Sequence, residues 1–265
     1  MIPAVTISPM YHYSLFGTIG TVVLFCFNLY QIVRQKPPLS RHLCWVQNRL
    51  QQIPVLGNFW FWAVIESLLF SCAQYLLVGL TNTTFGNWVG TGGNYFGLIT
   101  MIPLLILLFC FLFWTDPLKK FDLLVPAFPL ALVFVKIACF CAGCCRGFEC
   151  SWGMYNYFYG FYEFPTQLLE AAVALALFFV MMKLRGKMKP GTMWPVYVLL
   201  YSGTRFFTEF TRHESNTIWF LKTYHLCCIG GLIYGAVLLR IVNKHGDKIS
   251  NFFDSRMDKF NTSES

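Results

Sequence analysis

Tyr201 to Glu214 reads YSGTRFFTEFTRHE, and the rest of the chain is read outward from it. The stretch closes an apolar run, Thr192 to Phe210, that is long enough to cross a bilayer, and it sets Arg205, Glu209 and Arg212 at the outer end of that run. Ionisable groups in such surroundings are costly unless they pair, face water or bind something charged, so they mark a functional site. Arg205 and Glu209 are four residues apart. On a helix that spacing stacks them on one face, where each keeps the other charged. The pattern points to an anionic ligand that resides in the membrane.

Hydrophobic residues make up 56% of the 265 and charged ones 12%, with a mean hydropathy of +0.54. That leaves too little polar surface to clothe a soluble domain of this length. At roughly 20 apolar residues per spanning helix, the chain reads as an all-α integral membrane protein with seven transmembrane helices. The spans are placed at Ser14 to Val33, Val55 to Leu80, Tyr95 to Trp114, Leu123 to Cys145, Phe164 to Met182, Thr192 to Phe210 and Leu226 to Val242. Residues 1–245 are read as one seven-span membrane domain, and 246–265 as a polar cytoplasmic tail, partly ordered at best. The opening MIPAVTISPM lacks the basic start of a cleavable signal peptide, so the first apolar run is expected to stay in the membrane.

Short cytoplasmic loops collect Lys and Arg. One set of connections carries Arg34, Lys36, Arg41 and Arg49, then Lys119 and Lys120, then Lys183, Arg185, Lys187 and Lys189, and finally Arg240, Lys244, Lys248, Arg256 and Lys259. The opposite side, counting the outer ends of the spans, has only Lys136, Arg146, Arg205, Arg212 and Lys222. The N-terminus is therefore expected outside and the C-terminus in the cytoplasm. Topology also accounts for most of the net charge of +8, which argues against a nucleic-acid partner.

Two further stretches fall on the same side as Arg205. Thr81 to Gly97, TNTTFGNWVGTGGNYFG, is an uncharged loop whose Gly86, Gly90, Gly92 and Gly93 could let backbone N–H groups approach a phosphate; an ordinary loop entering a helix is the plain alternative. Lys136 to Cys150, KIACFCAGCCRGFEC, puts a lysine after an apolar run, where it could simply snorkel to the interface. Cys139, Cys141, Cys144 and Cys145 suggest a metal site, but no second CxxC pair or His cluster completes a zinc ligand set. Packing between helices is the favoured use of these thiols, and no stoichiometric zinc is expected. Glu66, in mid-span, needs a partner that the sequence does not reveal, and His225 could be a general base or a packed histidine.

At these residues the chain resembles the bacterial prolipoprotein diacylglyceryl transferases, seven-span plasma-membrane enzymes with an outer N-terminus, over about Tyr13 to Gly235. YSGTRFFTEFTR looks like the family's Tyr/Gly, Arg-Phe, Glu-Phe, Arg pattern near the end of the sixth span. KIACFCAGCCRG resembles the signature Arg-Ile-Gly-Asn-Phe-x-Asn-Gly-Glu, ending at Gly147. FPTQLLEA, Phe164 to Ala171, is similar to His-Pro-x-Gln-Leu-Tyr-Glu, and HLCCIGGLIYG to the closing Gln-Leu-x-Ser block. Three departures stand out: Lys136 replaces the family's Arg, Cys139 its Asn, and Tyr95, Phe96 and Gly97 stand where His-Gly-Gly is usual.

The resemblance implies transfer of a diacylglyceryl group from phosphatidylglycerol to the lipobox cysteine of a preprolipoprotein in the bacterial plasma (inner) membrane, without metal or organic cofactor. It implies catalytic roles for Arg205, Lys136, Tyr95 and Glu209, with Arg205 clamping the phosphate. Substrate contacts are implied for Tyr13, Gly93, Gly97, Cys139, Gly143, Gly147, Gln167, Glu170, Arg212 and His225. The Lys136 and Tyr95 replacements keep two alternatives open: a diverged paralogue using the lipid pocket for another acceptor, or a non-enzymatic lipid-binding or transport protein. For the topology, a reporter enzyme fused after Ser265 is expected to work only in the cytoplasm. Activity confined to the outside would overturn the orientation.

Overall fold

The structure is a computed structural model and describes residues 9–35, 116–157, 159–213, 217–218 and 221–262, with isolated positions 64, 68 and 103. The expected second and third spans, and with them Glu66, Gly93, Tyr95 and Gly97, lie outside the described residues apart from those single positions. Six helices are described: α1 (Pro9–Gln35), α2 (Pro117–Leu124), α3 (Ala127–Cys141), α4 (Thr166–Leu184), α5 (Met193–Glu209) and α6 (Thr223–Thr262). Two antiparallel hairpins, β1 (Glu149–Asn156) with β2 (Phe161–Glu163) and β3 (Thr217–Ile218) with β4 (Leu221–Lys222), qualify the all-α expectation. Asp122–Cys141, Thr166–Leu184 and Tyr224–Ser255 are long and apolar enough to cross a membrane, and Thr18–Gln31 is a shorter apolar stretch.

Helix α3 packs on α4 and α1, and α5 on α6 and α4. Leu124, Val125, Phe128 and Leu132 meet Ala174, Leu177 and Met181 of α4 and Trp194, Tyr197, Val198 and Tyr201 of α5 in one core. In lipid the gain comes from close packing rather than from escape from water. Phe128 supplies much of it, its ring lying 5.3 Å edge-on to Trp194 and 6.4 Å stacked on Tyr197. Pro129 and Pro195 fall in the first turns of α3 and α5, where a missing amide hydrogen leaves no intrahelical bond unmade.

The first turn of α5 is capped from another helix. Thr192 makes no side-chain cap; instead Asp122 of α2 accepts from the Gly191 amide (2.7 Å) and the Met193 amide (3.1 Å). A carboxylate there also faces the positive end of the helix dipole. Gly191 must be glycine on two counts: its φ is +83°, and a Cβ would lie 2.6 Å from Leu118.

Two helix ends fall elsewhere than the apolar runs suggest. The expected fourth span, Leu123 to Cys145, turns at Val125 and Pro126 and its helix stops at Cys141. The stop is a Schellman turn: Gly143, with φ +67°, donates to the Phe140 carbonyl (3.1 Å), and Cys144 donates to the Cys139 carbonyl (3.1 Å). The polar tail is also not loose, because α6 runs unbroken across residues 245 and 246 to Thr262. Its far part is docked: Ser250 donates to the buried Asp116 carboxylate, and Lys119 pairs with Asp254 at 3.0 Å.

After the Schellman turn the chain lies alongside the end of α5. Gly147 bridges Arg212, Phe148 donates to the Thr211 carbonyl (3.0 Å), and His213 donates to the Arg146 carbonyl (3.0 Å). Gly147 is pressed against the entry to α4, where a Cβ would lie 2.0 Å from the Phe164 carbonyl oxygen and 2.6 Å from Thr166 Oγ1. Gly147→Ala is therefore expected to destabilise the protein by about 1–3 kcal/mol or more. Gly230→Ala, in helix α6 with no neighbour within 4 Å of the new methyl, should be neutral or stabilising by up to about 1 kcal/mol. Thermal unfolding of the two variants in detergent checks the contrast, and equal behaviour would contradict the packing at Gly147.

Candidate anion site between α3, α4 and α5

Helices α3 and α5 end, and α4 and α6 begin, at the same end of the bundle. The spacing on α5 puts Tyr201, Arg205, Thr208, Glu209 and, just beyond, Arg212 on its buried side. Arg205 Nη2 meets Glu209 Oε2 at 2.5 Å, the four-residue pair expected from the sequence. The other Arg205 terminal nitrogen donates to Glu170 Oε1. Glu170, one turn into α4, also receives Arg212 Nε on Oε1 (3.2 Å) and the Lys136 ammonium of α3 on Oε2. One carboxylate thus takes three cations from three chain segments, and all four side chains are buried or nearly so.

Lys222 adds a fourth cation. Its ammonium donates to the Glu209 carbonyl (3.0 Å) and to the Arg212 carbonyl, closing the C-terminus of α5 where positive charge is favoured. Lys136, Arg205, Arg212 and Lys222 against Glu170 and Glu209 leave two surplus positive charges. The sequence showed Lys222 only as one of few basic residues on this side, and nothing in its neighbours pointed to α5.

The cluster forms the polar end of a small cleft, whose empty space of about 270 Å³ includes its open mouth. Lys136, Glu170, Arg205, Thr204 and Thr208 line that end, while Leu132, Val173, Ala174, Leu177 and Tyr201 line the rest. Thr204 and Thr208 donate their hydroxyl protons to α5 carbonyls, at 2.9 Å from Leu200 and 3.2 Å from Arg205.

The remaining expected residues divide. Gln167, buried, donates to the Cys144 carbonyl (2.7 Å) and so fixes the loop rather than lining the cleft. Gly143 and Gly147 shape that loop, as described. Cys139 is buried, and the turn folds Cys144 and Cys145 back onto it, so three thiols gather instead of packing singly between helices. The Cys145 thiol is held well below the usual thiol range, because Cys139 and Cys144 donate towards it and Arg212 and Lys136 stand near. Tyr13 lies in the N-terminal part of α1. His225 stays out of the cluster: its Nδ1 accepts from the Lys222 amide (3.0 Å), and its ring packs against Phe206 and Phe210.

A family model described as prolipoprotein diacylglyceryl transferase matches residues 3–241. Phosphatidylglycerol-prolipoprotein diacylglyceryl transferase 2 of Clostridium perfringens is 35% identical over 137 residues, 48% of this chain and 53% of the relative. The enzyme of that name from Clostridium tetani is 27% identical over 191 residues, 67% of this chain and 77% of the relative. That from Campylobacter curvus is 28% identical over 220 residues, 75% and 77%. The chain thus spans about half the length of the first relative and about three quarters of the other two.

Removing the shared carboxylate should be severe, because Glu170→Ala strands three cations in a buried site. The cost is expected to be about 3–5 kcal/mol, read as a lowered unfolding temperature and reduced yield of inserted protein. Wild-type stability in Glu170→Ala would show that the ion cluster is not formed.

Proposed function

The chain belongs to the prolipoprotein diacylglyceryl transferase family, and we propose that it moves a diacylglyceryl group from phosphatidylglycerol to the thiol of a preprolipoprotein's lipobox cysteine. The supporting observation is the cleft: surplus positive charge at one end and an aliphatic wall at the other match a phospholipid's phosphate and acyl chains. In this reading seven helices cross the bacterial plasma membrane with the N-terminus outside and the C-terminus in the cytoplasm. The names of the relatives supply the two substrates.

The reaction breaks the bond between the glyceryl carbon and the phosphate oxygen and the S–H bond of the cysteine, forms a carbon–sulfur bond, and releases glycerol phosphate together with the thiol proton. The leaving oxygen gains negative charge, so fixed cations beside it lower the barrier. Arg205 is the principal phosphate group, since its planar fork matches phosphate oxygens. It is oriented by Glu209 and Glu170. Glu170 already occupies the centre of the three cations, the place a phosphate would compete for, so lipid entry must loosen some of its contacts. Lys136 contributes a point charge where the family usually has a fork. Tyr95 is assigned a binding or proton-relay role.

The test follows labelled diacylglyceryl from phosphatidylglycerol to a lipobox peptide. Arg205→Ala is expected to lose transfer at least about 100-fold, as for removal of one charge-stabilising donor, and Arg205→Lys to recover little. Lys136→Ala should also be severe, whereas Lys136→Arg should keep or raise activity. Full activity in Arg205→Ala would remove Arg205 from the reaction. An inactive unmutated chain, with no rescue of lipoprotein modification in depleted cells, would overturn the transfer reading itself.

A further inference from the structure

We infer that Cys139, Cys144 and Cys145 form a three-coordinate thiolate site for a soft, thiophilic cation of the cuprous class, set beside the phosphate-binding cations. Their sulfurs all lie within 4.8 Å of one another. Three sulfurs around one ion at about 2.3 Å would stand about 4.0 Å apart, so side-chain adjustment of less than an ångström closes the set. The backbone is arranged for it. The Schellman turn carries Cys144 back over Cys139, and Cys145 is held with φ 59°, the one described non-glycine residue at positive φ. That conformation costs an L-residue with a Cβ roughly 1–2 kcal/mol, and Gln167 pins the Cys144 carbonyl in place.

Donor chemistry selects the ion. Among the described residues the group contains no His, Asp or Glu, so zinc's usual four-ligand shell is incomplete. Three soft thiolates suit monovalent copper, which accepts low coordination numbers. Charge agrees as well, since Lys136 and Arg212 stand near Cys145. Access is open, since Cys139 is buried while Cys144 reaches the surface. This inference stands apart from the transfer reading, because copper binding is read without any transfer assay and no step of the reaction as proposed uses these thiols.

The test uses the full chain, purified in detergent under reducing, anaerobic conditions and titrated with cuprous ion against a chromogenic cuprous chelator. One copper per chain is expected, with X-ray absorption showing three sulfur neighbours at about 2.3 Å. Cys139→Ser, Cys144→Ser and Cys145→Ser should each weaken binding at least about 10-fold, and Cys141→Ser, in the same helix but outside the cluster, should not. A second measurement needs no variant: copper should protect the three thiols, but not Cys141, from maleimide labelling. Absence of stoichiometric copper, binding equally lost in Cys141→Ser, failure of protection, or isolation of the chain with two of the three cysteines already disulfide-bonded would each overturn it.

Discussion

The Glu170 carboxylate holds the described site together. Lys136 comes from α3, Arg205 from α5 and Arg212 from the segment after α5, and Glu170 pairs with all three. Three like charges at such separation repel, and inside a low-dielectric bundle the repulsion is large. A single anion among them reverses the sign of the energy, and the geometry of the cleft follows from where that anion stands. The loop through Gly147 and Phe148 then locks to Thr211 and Arg212 by backbone hydrogen bonds, so the charge cluster and the irregular backbone support each other.

Such a cluster is also a compromise between stability and binding. Were it neutral, it would be a comfortable buried network with no affinity for phosphate. Were the carboxylates absent, the cations would bind any anion tightly but could not be buried together before one arrived. Two carboxylates against four cations leave an intermediate field: a positive surplus that favours an anion, and enough compensation to fold without one.

How much of this was legible depended on whether an interaction was local. Arg205 with Glu209 was readable because four residues make one helical turn, and the family pattern drew attention to Lys136, Glu170 and Arg212 singly. Their joining at one carboxylate was not readable, since it depends on how three helices are rotated against one another. The same limit explains the cysteines. Treated as one continuous helix, Cys139 and Cys141 diverge; only the left-handed Gly143 turn brings Cys144 and Cys145 round to Cys139. A glycine after an apolar run was the available signal for that stop. The ordered tail escaped notice because its polar composition resembles a loose terminus, whereas its order comes from Ser250 and Asp254 meeting Asp116 and Lys119, more than a hundred positions earlier.

The order in which the pairs occur along the chain bears on biosynthesis. A lone lysine entering lipid on α3 would be opposed by its own desolvation, but the next described helix brings its counter-ion, Glu170, so the two can settle as a neutral hairpin. Helix α5 follows with Arg205 and Glu209 already matched within one turn. Asp122, which caps the start of α5, has left the ribosome some seventy residues earlier and waits at the correct end. The lysine of α3 therefore waits for one helix only, the later charged segments arrive carrying a partner or finding one in place, and the arginine-rich end of the bundle can be assembled stepwise.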